Sequence, residues 1–432
     1  MGAIPDILEE HLDEASFHWG RWERALLSPT HDLEETAEQE ERLLAHLDGL
    51  AEAGPAAGPL LLDALDSGEA PRISAATFAL LAARKDGIDE VLGRLRTGPA
   101  EARPALARAL ELVDRQGLDA RLVSLLDTAS PEVMALVLET LMARDAVPEA
   151  QVARLLTHES PAVRRAALDA STVLPARTVT PELLVPSLAS ANAGVRAAAI
   201  EAGLVRGMRT ALAACREQTG ANGIEALEAM SLLALGGSES DVELLVNATQ
   251  VPARRSGALW ALGFSGRPLA AETCLRWMED DAVAAMAGEA FSAITGLKLA
   301  GPYALPPREE REEPIPLEEE ALDADLVPRP EDGLPRPEAQ AIRDWWTQHR
   351  VHFHPGTRYL DGQPLDAEAL LNALERGPMR RRHLLARELA LRSRGTLRVR
   401  TRVLCQRQRA ELTRARSART NLLMMPIHRM VG

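Results

Sequence analysis

The stretch Ser160–Gly207, SPAVRRAALDASTVLPARTVTPELLVPSLASANAGVRAAAIEAGLVRG, decides the fold. One phrase occurs in it twice, VRRAALDA from Val163 and VRAAAIEA from Val195. Each copy follows a turn of small residues and precedes a second turn and a second apolar segment. A unit of this kind cannot bury its apolar face alone, so it requires stacked neighbours and a quasi-one-dimensional array.

Extending the Val163 position outward gives Ile73, Ala102, Val133, Val163, Val195, Ile224, Arg254 and Val283, separated by 29, 31, 30, 32, 29, 30 and 29 residues. Four units carry proline two residues earlier, at Pro71, Pro131, Pro161 and Pro252, where a first helical turn tolerates a missing N–H. The second helix of a unit places apolar residues at i, i+3, i+4 and i+7, as in Val163, Ala166, Ala167 and Ala170. The first helix is richer in leucine, as in LDARLVSLLDT and DVELLVNA. The Ile224 unit fits least well, because Glu228 falls where the pattern asks for an apolar residue. A bend, a bound partner and a misframed alignment all account for it.

Composition agrees. Aromatics are 3% of the 432 residues, and Ala, Leu, Arg and Glu dominate, which favours helix. The expected architecture is all-α: an α-solenoid of about eight units of some 30 residues, with an N-terminal helical cap and a small, mostly helical C-terminal region. The expected divisions are a cap over 1–54, a solenoid over 55–300, an acidic proline-rich linker over 301–337 and a Trp- and Arg-rich region over 338–432. In the cap, Ile7, Leu8, His11, Leu12 and Ala15 recur at helical spacing. Phe17, Trp19 and Trp22 read as anchors of the cap or as a partner patch.

The formal net charge is −14, unfavourable for nucleic-acid binding by the molecule as a whole. From Arg376 onward, 16 arginines face only Glu388 and Glu411, a net of +14, so the preceding 375 residues carry −28. The tail therefore docks on the chain's own acidic linker and cap, or binds an acidic partner or nucleic acid. The alternation in LRVRTRV, Leu397–Val403, suggests a strand. Cys215, Cys274 and Cys405 read as buried free thiols of a reducing compartment. The acidic N-terminus and the lack of an apolar run near the ~18 residues of a span predict a soluble cytoplasmic protein.

The sequence carries no phosphate loop, nucleophile elbow or paired-cysteine motif, and neither an enzyme nor a cofactor is expected. His349, His352 and His354 lack a partner carboxylate or thiolate at ligand spacing and read as packed or surface histidines, so no metal is expected. Trp260 is the array aromatic that a DNA-glycosylase-like cleft would need, and a bilin-lyase-like role is the other enzymatic alternative. Binding residues are expected among Arg164, Arg165, Arg196, Trp260 and Glu289 of the array, Trp345 and Trp346 beyond the linker, and Arg380, Arg381 and Arg382 of the tail. For the charged array positions an inter-repeat ion pair is the competing role.

Turn-then-VR units of thirty residues resemble short bacterial HEAT-like repeats, which implies a right-handed superhelix whose second helices line the concave face. Four stretches, ERLLAHLDGL (Glu41–Leu50), ALWALGFSGRP (Ala258–Pro268), AGEAFSAITGLKL (Ala287–Leu299) and GLPRPEAQAIRDWWTQHR followed by FHPGTRYLDGQPL, are together similar to a proteobacterial HEAT-like-repeat family often encoded beside type VI secretion genes. The long acidic linker and the segment after Leu397 depart from that family's pattern. The resemblance implies an interaction role, with a secretion component or effector as partner, and carries no active site.

Overall fold

A computed structural model describes residues 5–83, 87–175, 177–306 and 329–432, so the linker's acidic runs REEREEP and LEEEALDAD lie outside the described residues. The chain is an all-α solenoid. Two long antiparallel helices open it, α1 (Pro5–Ala25) and α2 (Leu33–Glu52), the latter started by an Asp32–Glu35 capping box.

Eight helix pairs follow: α3 (Gly58–Ala64) with α4 (Ala70–Ala83), α5 (Gly87–Thr97) with α6 (Arg103–Leu112), α7 (Leu118–Leu125) with α8 (Pro131–Arg144), and α9 (Glu149–Leu155) with α10 (Pro161–Ser171). Then come α11 (Pro181–Leu188) with α12 (Ala193–Val205), α13 (Arg209–Gln218) with α14 (Ile224–Ala234), α15 (Glu239–Ala248) with α16 (Pro252–Ser265), and α17 (Pro268–Trp277) with α18 (Ala284–Thr295). The second helices, α4 through α18, pack on one another in sequence and form a continuous inner layer. Their alanine-rich stripes are buried: Val163, Ala166, Ala167 and Ala170 in α10, and Met286, Ala287 and Ala290 in α18. Small side chains there let neighbouring backbones approach.

The arginine of the VR phrase has a definite task. Arg164 donates Nη1–H to the carbonyls of His158 and Glu159 at 2.8 and 3.0 Å, and Arg196 to those of Ser190 and Ala191 at 2.7 and 3.0 Å. Arg103 reaches the Gly98 carbonyl at 3.1 Å and Arg255 the Thr249 carbonyl at 3.0 Å. In each case a second-helix guanidinium satisfies carbonyls at or just past the C-cap of the first helix, in the turn five or six residues earlier. The Ile224 irregularity is one of framing. The buried stripe of α14 is Ala226, Ala229, Met230 and Leu233, while Ile224 is 61% exposed. The true register therefore runs two residues later, and Glu228 falls off the stripe.

After α18, the two ends of the linker are clasped together: Leu305 donates its N–H to Arg336 at 2.8 Å and Glu338 to Tyr303 at 3.0 Å. Helix α19 (Ala339–His349) follows, then a two-residue hairpin, β1 (Tyr359–Leu360) and β2 (Gln363–Pro364), turning at Asp361 and Gly362. Both turn residues have positive φ, 52° and 75°, as an Asp-Gly turn of the primed type requires. Helices α20 (Ala367–Arg376) and α21 (Met379–Arg392) are separated at Gly377–Pro378, and α22 (Cys405–Ser417) and α23 (Ile427–Met430) complete the chain. The strand expected over 397–403 does not form. That segment is irregular because its arginines turn to helix ends instead of pairing with a second strand.

Candidate functional site

The region 338–432 lies along the inner layer and meets the C-terminal end of every second helix from α6 to α18. Arg407 donates to the Glu111 and Leu112 carbonyls of α6 at 3.3 and 2.9 Å. Arg400 reaches the Ala143 carbonyl of α8 at 2.7 Å, and Arg398 the Val173 carbonyl past α10 at 3.5 Å. The Gly432 N–H bonds the Gly207 carbonyl past α12 at 3.0 Å. Arg358 and Arg392 share the Leu235 carbonyl at the end of α14. Arg358 also bonds Phe264 and Ser265 of α16, at 2.9 and 3.1 Å, and Arg381 bonds Gly263 at 3.0 Å. The hairpin closes α18, donating the Asp361 and Gly362 N–H groups to Ala293 and Ile294 at 2.8 and 3.0 Å. A helix C-terminus carries unsatisfied carbonyls and partial negative charge, so a guanidinium placed there both hydrogen-bonds and opposes the dipole. The tail thus docks on its own chain, meeting the cap at Glu40, His31 and Ser28 and the linker's end at Glu331, and it reaches further than cap and linker. The tail docks mainly on backbone carbonyls of the repeats.

Both ends of the array converge on the first turn of α21. The Met379 and Arg380 N–H groups bond the His31 and Ser28 carbonyls of the cap at 2.8 and 3.0 Å. The Arg380 guanidinium faces Glu289 of α18 at 3.6 Å and Glu331 at 3.1 Å. Three consecutive arginines at a helix N-terminus oppose its dipole, so they need these partners. Arg380 and Arg381 lie over the Trp260 ring at 4.5 and 5.2 Å, and Arg381 over Phe264 at 3.9 Å. Burial lowers the Arg381 and Arg382 guanidinium values to about 10, which leaves both charged at neutral pH. Burial pushes the Glu289 carboxyl up, against the pull of Arg381 and Arg380. It meets them at ion-pair distances and not as a hydrogen-bonded fork.

Four of the expected binding residues, Trp260, Glu289, Arg380 and Arg381, therefore form one cluster. The other six stand elsewhere. Arg382 is fully buried and bonds the Leu374 carbonyl at the end of α20. Trp346 is buried against Phe291 at 5.6 Å, and Trp345 packs on the same ring at 6.1 Å and on His349 at 4.3 Å. Arg164 and Arg196 are held by the turns of their own repeats, as above. Arg165 is half exposed and lies 3.9 Å from both Asp169 and Glu228.

Sequence reading missed the residues that lock the tail. Glu388, buried in α21, lies between Arg358 at 2.8 Å and Arg392 at 2.7 Å. Burial alone raises its carboxyl, but the two guanidiniums outweigh it and hold the group below the usual carboxylate range. Arg387 grips Glu201 of α12 with two bonds at 2.8 and 2.6 Å. His383 bonds the Leu26 carbonyl at 2.9 Å and Thr401 Oγ1 at 2.6 Å, and burial lowers it to about 4, a neutral structural imidazole. The signal available in the sequence was the placement of Glu388 as one of two acids among the tail arginines.

Chemically, the cluster is an aromatic ring covered by cations. A glycosylase-like cleft needs the Trp260 face open to a base, and here arginines occupy it. Two surface depressions, of about 280 and 120 Å³, are lined by the clasped linker ends and by Arg398, Arg400 and Glu411. Both fall below the usual range for small-molecule sites. No helix is long and apolar enough to cross a membrane among the described residues.

No family model and no curated protein matches the chain. Among solved structures, an X-ray structure of YibA from Escherichia coli is similar at a TM-score of 0.39 and 16% identity, over 58% of this chain and 96% of that one. Kap95p, from work on its binding to RanGDP in nuclear import complex assembly, is similar at a TM-score of 0.32 and 11% identity, over 90% of this chain and 58% of that one. At these scores neither likeness bears on what this chain binds.

Proposed function

We propose that the protein is a non-enzymatic protein-binding scaffold that acts as a cytoplasmic accessory or adaptor factor in type VI secretion. One observation carries the scaffold reading: much of the tail's positive charge is answered within the chain. Arg381, Arg382 and Arg392 are buried, and Arg387, Arg398, Arg400 and Arg407 end on carbonyls or carboxylates of the same chain. With those cations inside and a net charge of −14, the surface offered to partners is acidic. Such a surface steers basic protein surfaces toward it and repels phosphate backbones. That argument favours a protein partner over nucleic acid. The secretion link rests on the resemblance of the four stretches quoted above.

The test is affinity purification of the intact protein from its native host with mass spectrometry, alongside a secretion assay in a deletion strain. Recovery of a secretion component or effector, with secretion impaired, is the expected outcome. Normal secretion and no such component recovered would sink the adaptor reading.

A further inference from the structure

The cap carries a cluster that the tail and the array do not use. On α1, HLDEASFH places His11, Glu14 and His18 at i, i+3 and i+7, one stripe of the helix. On α2, His46 faces that stripe. Ligating atoms of Glu14, His18 and His46 all lie within 4.8 Å of one another, the one such group among the described residues. His18 Nε2 is 3.6 Å from Glu14 Oε2, close to the ~3.4 Å that separates ligand atoms in a tetrahedral zinc site with bonds of about 2.0–2.1 Å.

Three further features fit a ligand set. His46 Nδ1 lies 3.2 Å from His11 Nδ1. If that bond fixes the His46 proton on Nδ1, Nε2 is left as the ligating nitrogen, the arrangement by which outer-shell partners orient metal-binding imidazoles. The outer ring nitrogen of His18, Nδ1, is buried without a hydrogen-bond partner, so no protein hydrogen bond on that side competes with Nε2 for the orientation of the ring. Gly49, inside α2, makes room for His11: a Cβ there would come within 3.1–3.3 Å of the imidazole. Glu14 is exposed, so an ion has a path from solvent.

We propose that Glu14, His18 and His46 bind one divalent transition-metal ion of the zinc class, with water completing the coordination and His11 as the positioning residue for His46. Two imidazoles and a carboxylate suit zinc and its neighbours better than magnesium or calcium. The ion would tie α1 to α2 across the cap.

The test uses the full chain, stripped with chelator and titrated with Zn²⁺ by calorimetry and with Co²⁺ by visible absorption. One ion per chain is expected, with a zinc-dependent rise in melting temperature. His46→Ala and His18→Ala should abolish the stoichiometric binding, and His11→Ala should weaken it by about 10–100-fold. His352→Ala, in the separate HRVHFH group, should leave binding unchanged. Glu14→Gln, at an exposed position, guards against misfolding: it should melt like the parent without metal and yet bind zinc at least about tenfold more weakly. Failure of the parent to bind, survival of binding in His18→Ala and His46→Ala, or its loss in His352→Ala alone would each overturn the proposal.

Discussion

Both carboxylate oxygens of Glu40, buried in the cap, accept the backbone N–H of Cys405, each at 2.9 Å, across 365 residues of sequence. Glu40 also accepts the indole N–H of Trp22 at 3.1 Å. Glu40→Ala leaves two buried donors unpaired at the seam between cap and tail. A loss of about 2–4 kcal/mol is expected in urea unfolding, with a markedly smaller loss for Glu40→Gln, which keeps an acceptor.

Glu388 is the keystone of the tail because it answers two guanidiniums at once. Glu388→Ala should destabilise by about 3–5 kcal/mol, the cost of leaving buried charge without its partner. Its folded-state value is depressed, so its stabilisation is present above the ordinary carboxylate range and is lost as pH falls through the folded value. Urea midpoints of the parent should therefore drop on acidification below about pH 4, and those of Glu388→Gln should drop less.

Asp169 has the opposite sign. Burial, with Glu201 next, raises its carboxyl to about 7. The folded state then holds a proton that the unfolded state has released, so stability falls as pH rises from about 4 to about 7. Because 27% of the side chain is exposed, solvent screening reduces the effect. Asp169→Asn should stabilise by about 1–2 kcal/mol at pH 8, with the gain shrinking toward pH 4 in melting curves.

The three cysteines are buried, and burial pushes the Cys215 and Cys274 thiols up to about 12 and Cys405 further still. A thiol held protonated and out of solvent is a poor nucleophile. No reaction with a disulfide reagent is expected in native protein over minutes, and full reaction of all three is expected in denaturant.

The array was legible because its signal is local: Val163 and Val195 head the same phrase, and the spacing extends both ways from them. The slip at Ile224 came from aligning on a turn, whereas the burial stripe begins at Ala226. The docking of the tail was only half legible. Composition separates +14 from −28, but the groups that receive Arg358, Arg398, Arg400 and Arg407 are largely main-chain carbonyls, which every residue has and no sequence marks. Trp260, Glu289, Arg380 and Arg381 could be singled out individually, yet their meeting depends on the array curling until cap and last repeat touch one helix turn. His11 read as part of an apolar stripe, and nothing in α1 alone reveals His46 across from it.

The inner-helix ends are answered by residues that leave the ribosome after the repeats themselves. All eight repeats precede Arg358, and the end of α6 waits on the order of 15 to 60 s for Arg407 at about 5–20 residues per second. During that time the carbonyls later met by the arginines face water or chaperones. The nascent solenoid is therefore an intermediate, and synthesis of the arginine-rich region fastens it.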